Sequence, residues 1–364
     1  MTLYFKKKVI GLKYLKQWKI IGGRTVKTGI AVFFTSLICH LLNWPSVFAV
    51  VTSIVTIEPT ASDSIRKGMV RFPASAIGAA FAMVLTSYFG DEPLTYAFAA
   101  IFTIAICHRL KLHAGMVVAT LTAVAMIPAT HDHFLINFLV RLGTTTIGLV
   151  VSTVVNLFIM PPNYSKIIFN SVHNLYIRTG NILERRMMEI LHLQPIEKRT
   201  KNLFIDLVND LRKAEKLCEY QREEWKFHRN SKEEMRQLHY LQKKIHLLRQ
   251  IVYHLGNIIY MPSSLYCWPE NEKEKVLTAI QSLTTIIQEP RAEITAEHNE
   301  LINELVGTFW EQKGQIPTDH CHHFSPETVI LYELLSIHDL LEERRQIQEF
   351  EMRRQKALAS PIRA

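Results

Sequence analysis

Two arginines, Arg71 and Arg141, stand 70 positions apart and open two closely similar motifs, RFPASAIG and RLGTTTIG. Both motifs lie in strongly apolar surroundings, where a guanidinium is costly unless it snorkels, pairs or faces water. Such a cation offers one obvious chemistry, the attraction of an anion. Arg71 can also snorkel from an inner boundary, whereas Arg141 has seven mostly apolar residues before it and no such exit. A carboxylate, Glu58, closes an apolar run immediately before Pro59. It reads either as a proton-coupling group or as half of a structural ion pair. Lys27, in the first apolar segment, poses the same choice. Around each arginine the sequence repeats a helical face of small and weakly polar residues. The faces are Arg71, Ser75, Gly78, Ala82, Thr86 and Arg141, Thr145, Gly148, Ser152, Asn156. The stripe reads as close helix packing in lipid or as the lining of a polar path. Arg71, Arg141, Ser75, Gly78, Thr145 and Gly148 are therefore the substrate-path candidates.

The elements that must carry these residues are apolar segments near residues 25–43, 45–59, 69–89, 94–108, 114–128 and 134–160. About 17–25 residues are needed to cross a bilayer, so three segments suffice and three must borrow flanking residues or be broken. Loop charge alternates. Lysines and Arg24, then Arg66, Lys67 and Arg71, then Arg109 and Lys111 occupy one set of links, while NWP, GDEPL and THDHF carry no Lys or Arg. The positive-inside rule places both termini in the cytoplasm of a multi-pass plasma-membrane protein. Residues 1–160 hold 14 basic and 5 acidic residues, and the remainder 28 of each. A basic membrane half is thus followed by a polar half without net charge, which excludes a nucleic-acid patch. Pro59 matches Pro128 and Asp63 matches Asp132 at an offset of 69, and one further residue brings Arg71 onto Arg141. Three spans repeated once must enter the membrane from opposite sides, so the expected architecture is two inverted three-helix repeats, with Pro59 and Pro128 as helix-break candidates. That arrangement sets one arginine near each membrane surface.

The stretches GRTVKTGIAVFFTSLI, VVTSIVTIEPTASDSIRKG, RFPASAIGA and RLGTTTIGLVVSTVVNLFIMPP resemble the bacterial aromatic acid exporter family, in its uncharacterised Gram-positive branch. That family is related to the fusaric acid resistance proteins and, more distantly, to plant malate-type anion channels. The resemblance covers the chain. It implies export of small organic anions, aromatic carboxylates above all, with exchange for protons as an option and a homo-oligomer, most simply a dimer, as the working form. No residue roles carry over.

The fold class expected is all-α, in three parts. Residues 1–22 form a basic amphipathic segment suited to an anionic leaflet, 23–162 the six-span domain, and 163–364 a cytoplasmic helical bundle. The bundle's apolar seams are Leu241, Ile245, Leu248, Val252, Leu255, Ile259; Leu203, Leu207, Leu211; and Ile330, Leu334, Ile337, Leu341. They either close the bundle or pair two subunits. His320, Cys321, His322 and His323 lack the spacing of a metal site, whereas His131, Asp132 and His133 face outward and could hold an ion weakly, a solvated turn being the preferred reading. The cysteines Cys39, Cys107, Cys218, Cys267 and Cys321 form no CxxC pair. No metal, cofactor or nucleotide motif is expected, and no catalytic set is visible. The function expected is organic-anion export. The alternatives are a passive anion channel and a membrane scaffold acting through residues 163–364.

Overall fold

A computed structural model describes residues 22–129, 134–159, 162–227, 232–261, 268–289, 293–313 and 324–359. The basic segment before residue 22, the His131–Asp132–His133 turn, Cys267 and the His320–His323 run lie outside the described residues. Twelve α-helices and no strand occur among those described. Two compact units emerge: Met1–Pro162 with Arg222–Arg229, and Asn163–Gln221 with Asn230–Ala364.

The first unit is built on α1 (Gly23–Leu41), α2 (Ser46–Thr56), α3 (Ala61–Phe89), α4 (Pro93–Arg109), α5 (Met116–Met126) and α6 (Phe134–Phe158). Their ends follow from local chemistry. Asn43 and Lys111 take left-handed conformations (φ 53° and 58°) after α1 and α4, and Pro93 occupies the first turn of α4, where its missing N–H is harmless. The chain leaves α2 extended at Ile57, and Pro59 disfavours helix in the residue ahead of it, Glu58. Thr60 then caps α3, its hydroxyl accepting from the Asp63 amide at 3.1 Å. At the second proline, α5 passes into a short 3₁₀ turn, Ile127–Ala129.

These breaks change the count of full-length spans. Only Ala61–Phe89 and Leu135–Phe158, among the described residues, are long and apolar enough to cross a membrane, while Ser46–Thr56, Pro93–Arg109 and His113–Met126 are shorter apolar helices. The first unit thus holds six helices of unequal length, of which two meet this test of length and composition.

Packing in this unit follows matched pairs. The elements α3 and α5 pack together, as do α6 and α2, and α3 meets α6. A Cβ on Gly78 would lie 2.1 Å from the Ala119 carbonyl oxygen, and one on Gly148 would lie 2.5 Å from that of Ala49. Ala49 and Ala119 are themselves 70 positions apart. The buried residues of α1 are Lys27, Ala31, Thr35 and Cys39, and those of α4 are Thr95, Ala99, Thr103 and Cys107. Three of the four pairs are identical at an offset of 68, a correspondence that extends the repeat into the first helix of each half.

The interior here mixes small apolar residues with hydroxylated ones, and many large apolar side chains lie outside. Thr35, Thr52, Ser53, Thr56, Ser75, Thr122 and Ser152 are inside, whereas Phe33, Leu41, Val47, Met69, Val117 and Phe158 are exposed. Apolar side chains outside and small hydroxylated ones inside suit helices that meet each other in lipid, because the tails are as apolar as leucine and give no reason to bury it. Several of the inner hydroxyls are satisfied within their own helix, such as Thr56 to the Thr52 carbonyl at 2.7 Å.

The second unit obeys the ordinary rule. It comprises α7 (Ser165–Leu191), α8 (Lys198–Glu224, of which the last three residues join the first unit), α9 (Lys232–Tyr260), α10 (Glu270–Gln288), α11 (Ala296–Lys313) and α12 (Pro326–Ala359). The seams on α8, α9 and α12 point into its core: Leu207, Leu248, Leu255, Ile259, Ile330, Leu334 and Ile337 are fully buried. These residues therefore close the bundle and do not serve as a subunit seam. Two buried arginines cap helices. Arg186 donates to the carbonyls of Ile258 (3.3 Å) and Met261 (2.6 Å) at the end of α9. Arg344 donates to those of Ile286, Ile287 and Glu289 at the end of α10. Each places a cation where the helix leaves unpaired carbonyls and negative partial charge.

Candidate functional site

Ser75 is the middle residue of α3, and Thr145 adjoins the middle of α6. Their hydroxyl oxygens are 3.4 Å apart, although the two residues are sequence equivalents separated by 70 positions. Ser75 also meets Thr122 of α5 at 3.1 Å. All three hydroxyls are buried. Arg71 and Arg141 each lie four residues from this centre, roughly 6 Å of helix rise. Both arginines therefore flank the middle of the long helices α3 and α6. Repetition drives this, because equivalent positions on two contacting helices bring both arginines toward the same crossing.

Their surroundings differ. Arg71 is 6 % exposed and donates from Nη2 to Glu58 Oε1 at 2.7 Å and from Nε to the Ala114 carbonyl at 3.2 Å. Gly115 allows that approach, since a Cβ there would stand 2.5 Å from the Ala74 Cβ. Lys67 takes the other Glu58 oxygen at 2.9 Å and lies 3.8 Å from Asp63 Oδ2, and Asp63 pairs in turn with Arg66 at 2.7 Å. Glu58 is thus clamped by two cations, and Arg71 does not snorkel. Arg141 is equally buried, but among the described residues it has no carboxylate partner. Its Nη2 donates to Thr122 Oγ1 at 2.6 Å, and its guanidinium carbon sits 4.0 Å from the centre of the Phe48 ring. Among the described residues, Nε and Nη1 of Arg141 have no hydrogen-bond partner. Close by in sequence, the Trp44 indole fills the space that a side chain at Gly143 would take.

A third group gathers at the break between α2 and α3. Lys27 Nζ donates to Asn156 Oδ1 at 2.9 Å, and Asn156 Nδ2 donates to the carbonyls of Glu58 (3.1 Å) and Thr60 (3.2 Å) and to Ser64 Oγ (2.8 Å). Arg24 donates to the Ile57 carbonyl at 2.9 Å. The carbonyls of Ile57, Glu58 and Thr60 at the break are thereby satisfied.

Of the sequence-derived candidates, Arg71 and Glu58 meet directly, and Ser75 meets Thr145. Pro59 lies in the α2–α3 link and Pro128 in the 3₁₀ turn. Gly78 and Gly148 stand at helix crossings and offer no side chain to a solute. Sequence reading missed Thr122 and Phe48 as neighbours of Arg141. Thr122 carries a usable signal, a hydroxyl in an apolar run, whereas nothing distinguishes Phe48 from other apolar residues. Among the described residues no three His, Cys, Asp or Glu side chains gather as metal ligands.

A family profile described as aromatic acid exporter family member 1 matches residues 19–159. Along nearly its whole length the chain is similar to a UPF0421 protein of Bacillus cereus strain ZK, 48 % identical over 342 residues that cover 93 % of this chain and 96 % of the relative. A UPF0421 protein of Oceanobacillus iheyensis is 40 % identical over 336 residues (90 % and 96 % covered). One from Staphylococcus saprophyticus is 38 % identical over 332 (90 % and 97 %).

Proposed function

The chain belongs to the aromatic acid exporter family, among its UPF0421 proteins, and from that premise we propose that it is a secondary exporter of small aromatic carboxylates. The family is one of transporters, which makes a membrane exporter the general role. The observation that carries the finer reading is Arg141, a buried guanidinium with two unused N–H groups, no acidic neighbour among the described residues, and an aromatic ring on its face. A carboxylate would take the unused donors in charge-assisted bonds, and the attached ring would extend toward Phe48. The Ser75, Thr122 and Thr145 hydroxyls provide further donors and acceptors beside it. Six helices arranged as two inverted repeats would put this site at their interface near the bilayer centre, with Arg71 reached from one side and Arg141 from the other. The matched contacts of Gly78 with Ala119 and Gly148 with Ala49 support that symmetry.

Glu58 is the proton-coupling candidate. Its protonation would neutralise one partner of the Arg71 ion pair, so proton arrival and release of Arg71 would be a single event. Both termini lie in the cytoplasm on this reading, and two copies pair in the membrane. Uptake of labelled hydroxybenzoate into proteoliposomes, with and without an imposed pH gradient, tests it. Arg141→Ala is expected to lower flux by at least about tenfold, the loss of one charge-assisted contact, and Glu58→Gln to remove the response to the gradient. Flux in Arg141→Ala equal to that of the parent protein would sink the assignment.

A further inference from the structure

The apolar seam of α9 does not close along its whole length. Ile245, Leu248, Leu255 and Ile259 are buried, whereas Leu241, one turn before Ile245, is only partly covered. Leu241 faces a cavity of about 540 Å³ bounded by the start of α7, by α9 and by Glu351 of α12, a size usual for small-molecule sites. A smaller cavity of about 70 Å³ adjoins it, and Phe169, Leu241 and Lys244 line both. The inner cavity is walled largely by Phe169, Val172, Leu241, Ile287 and the Tyr176 ring. The outer one is polar, with Asn163, Asn170, Gln237 and the ammonium groups of Lys166 and Lys244. Phe169 is 62 % exposed, an aromatic ring that the protein itself leaves to water. Charge in the lining is unequal. Arg344, 3 % exposed, belongs to the inner wall. It donates to the carbonyls of Ile286, Ile287 and Glu289, its guanidinium carbon lies 4.9 Å from the centre of the Tyr176 ring, and no carboxylate among the described residues pairs with it. Lys244 Nζ meets Glu351 Oε2 at 2.9 Å, which occupies one of the three donors of an ammonium. Lys166 has no acidic partner among the described residues, and Glu234, the other acid of the lining, is itself engaged. Three cations thus stand against two acids, both already in use.

We propose that the joined cavities of the second unit bind a small aromatic carboxylate, its ring in the inner part between Phe169 and Tyr176 and its carboxylate at Lys244 and Lys166. Lys244 lines both cavities and so marks the junction where ring and carboxylate meet. There the anion takes ammonium donors that Glu351 does not use, in charge-assisted bonds. Arg344 adds positive potential from behind Tyr176, in surroundings dry enough to strengthen it. The ring replaces water on the Phe169 and Tyr176 faces, where aromatic contact adds to the area buried. A purely hydrophilic anion leaves that apolar wall uncovered, and a neutral ring leaves the cations unanswered. The site lies wholly within the second unit and shares no residue with the surroundings of Arg141, so its existence does not rest on the exporter reading. On that reading it lets the bundle register the same class of solute that the first unit carries.

The test measures labelled benzoate binding to the full chain in phosphatidylcholine nanodiscs, in an Arg141→Ala background that removes the site of the first unit. Benzoate should bind and should slow deuterium uptake in the segments 165–176 and 237–244. Acetate, which lacks the ring, and benzyl alcohol, which lacks the charge, should each bind at least about tenfold more weakly. Lys166→Gln/Lys244→Gln should weaken benzoate by about tenfold, the loss of a charge-assisted contact, and Lys166→Arg/Lys244→Arg should largely restore it. Asn170→Trp, at an exposed position of the outer lining, should block the cavity without touching the core and abolish the binding. Benzoate affinity that is unchanged in both the Gln pair and Asn170→Trp overturns the proposal. So does acetate or benzyl alcohol binding as tightly as benzoate, or exchange in both segments that benzoate leaves unaltered. If these shifts appear while protein with Arg141 intact carries no benzoate across proteoliposomes, the bundle site stands and the exporter reading falls.

Discussion

At Arg141 the decisive feature is an asymmetry with its repeat mate. Arg71 has Glu58, and the residue matching Glu58 in the second half is Ile127 or its neighbour. One guanidinium is paired with a carboxylate, while the other has none among the described residues and leaves both Nε and Nη1 unbonded, against Nη1 alone in Arg71. Buried charge is used differently in the second unit, where Arg186 and Arg344 serve helix ends. A titratable pair there gives a residue-scale prediction. His298 and His338 are buried with Nε2 and Nδ1 3.1 Å apart, and Ser282 Oγ meets His298 Nδ1 at 2.7 Å. Glu342 stands 3.7 Å from His338 Nε2. Burial, with His338 adding to it, pushes the His298 imidazole down from 6.5 to about 4. An unfolded chain therefore binds a proton at this residue at a pH where the folded one does not. The stabilisation is complete above about pH 6.5 and is lost as pH falls toward about 4. The thermal midpoint of His298→Gln should accordingly fall less steeply than the parent's across that interval. Parallel slopes would contradict the assignment.

Among elements, the two helix crossings at Gly78 and Gly148 govern how close the matched pairs come. A side chain at either would strike a backbone carbonyl, which cannot rotate away as a flexible side chain does. Gly148→Val should therefore destabilise the protein by about 1–3 kcal/mol, the usual result of overpacking. Gly29→Ala on α1 meets nothing within 4 Å and should leave the unfolding midpoint within a degree or so of the parent, or raise it slightly by reducing backbone freedom. Thermal unfolding in detergent distinguishes them, and equal midpoints would dismiss the packing role. Helix ends were largely readable beforehand, since prolines and glycines act locally. The lengths were not. Whether an apolar segment continues past a proline depends on whether neighbours satisfy the freed carbonyls. Here Arg24, Ser64 and Asn156 do so from distant positions.

For the whole molecule, the two units bury different side chains, mostly small residues and hydroxyls in one and large aliphatic side chains in the other. Such a chain suits a bilayer for its first part and water for its second. Loop charge then predicts sidedness. On cells, an impermeant maleimide should label Asn43→Cys and Asp91→Cys from outside, and Lys111→Cys only after permeabilisation. The native Cys39 and Cys107 are buried and should contribute little background. Labelling of Lys111→Cys on intact cells would reverse or abolish the proposed topology.

The amino-acid order alone determined the all-helical class, the polar second half, the repeat and its two arginines, because periodicity, charge and local breakers are properties of neighbouring residues. Only tertiary structure decided that Glu58 belongs to Arg71, that Phe48 and Thr122 belong to Arg141, and that Glu223 and Glu224 at the end of α8 return to the start of α3. Those pairings join residues up to 163 positions apart. A hydrogen bond or ion pair acts over a few ångströms of space, and sequence distance carries no record of it.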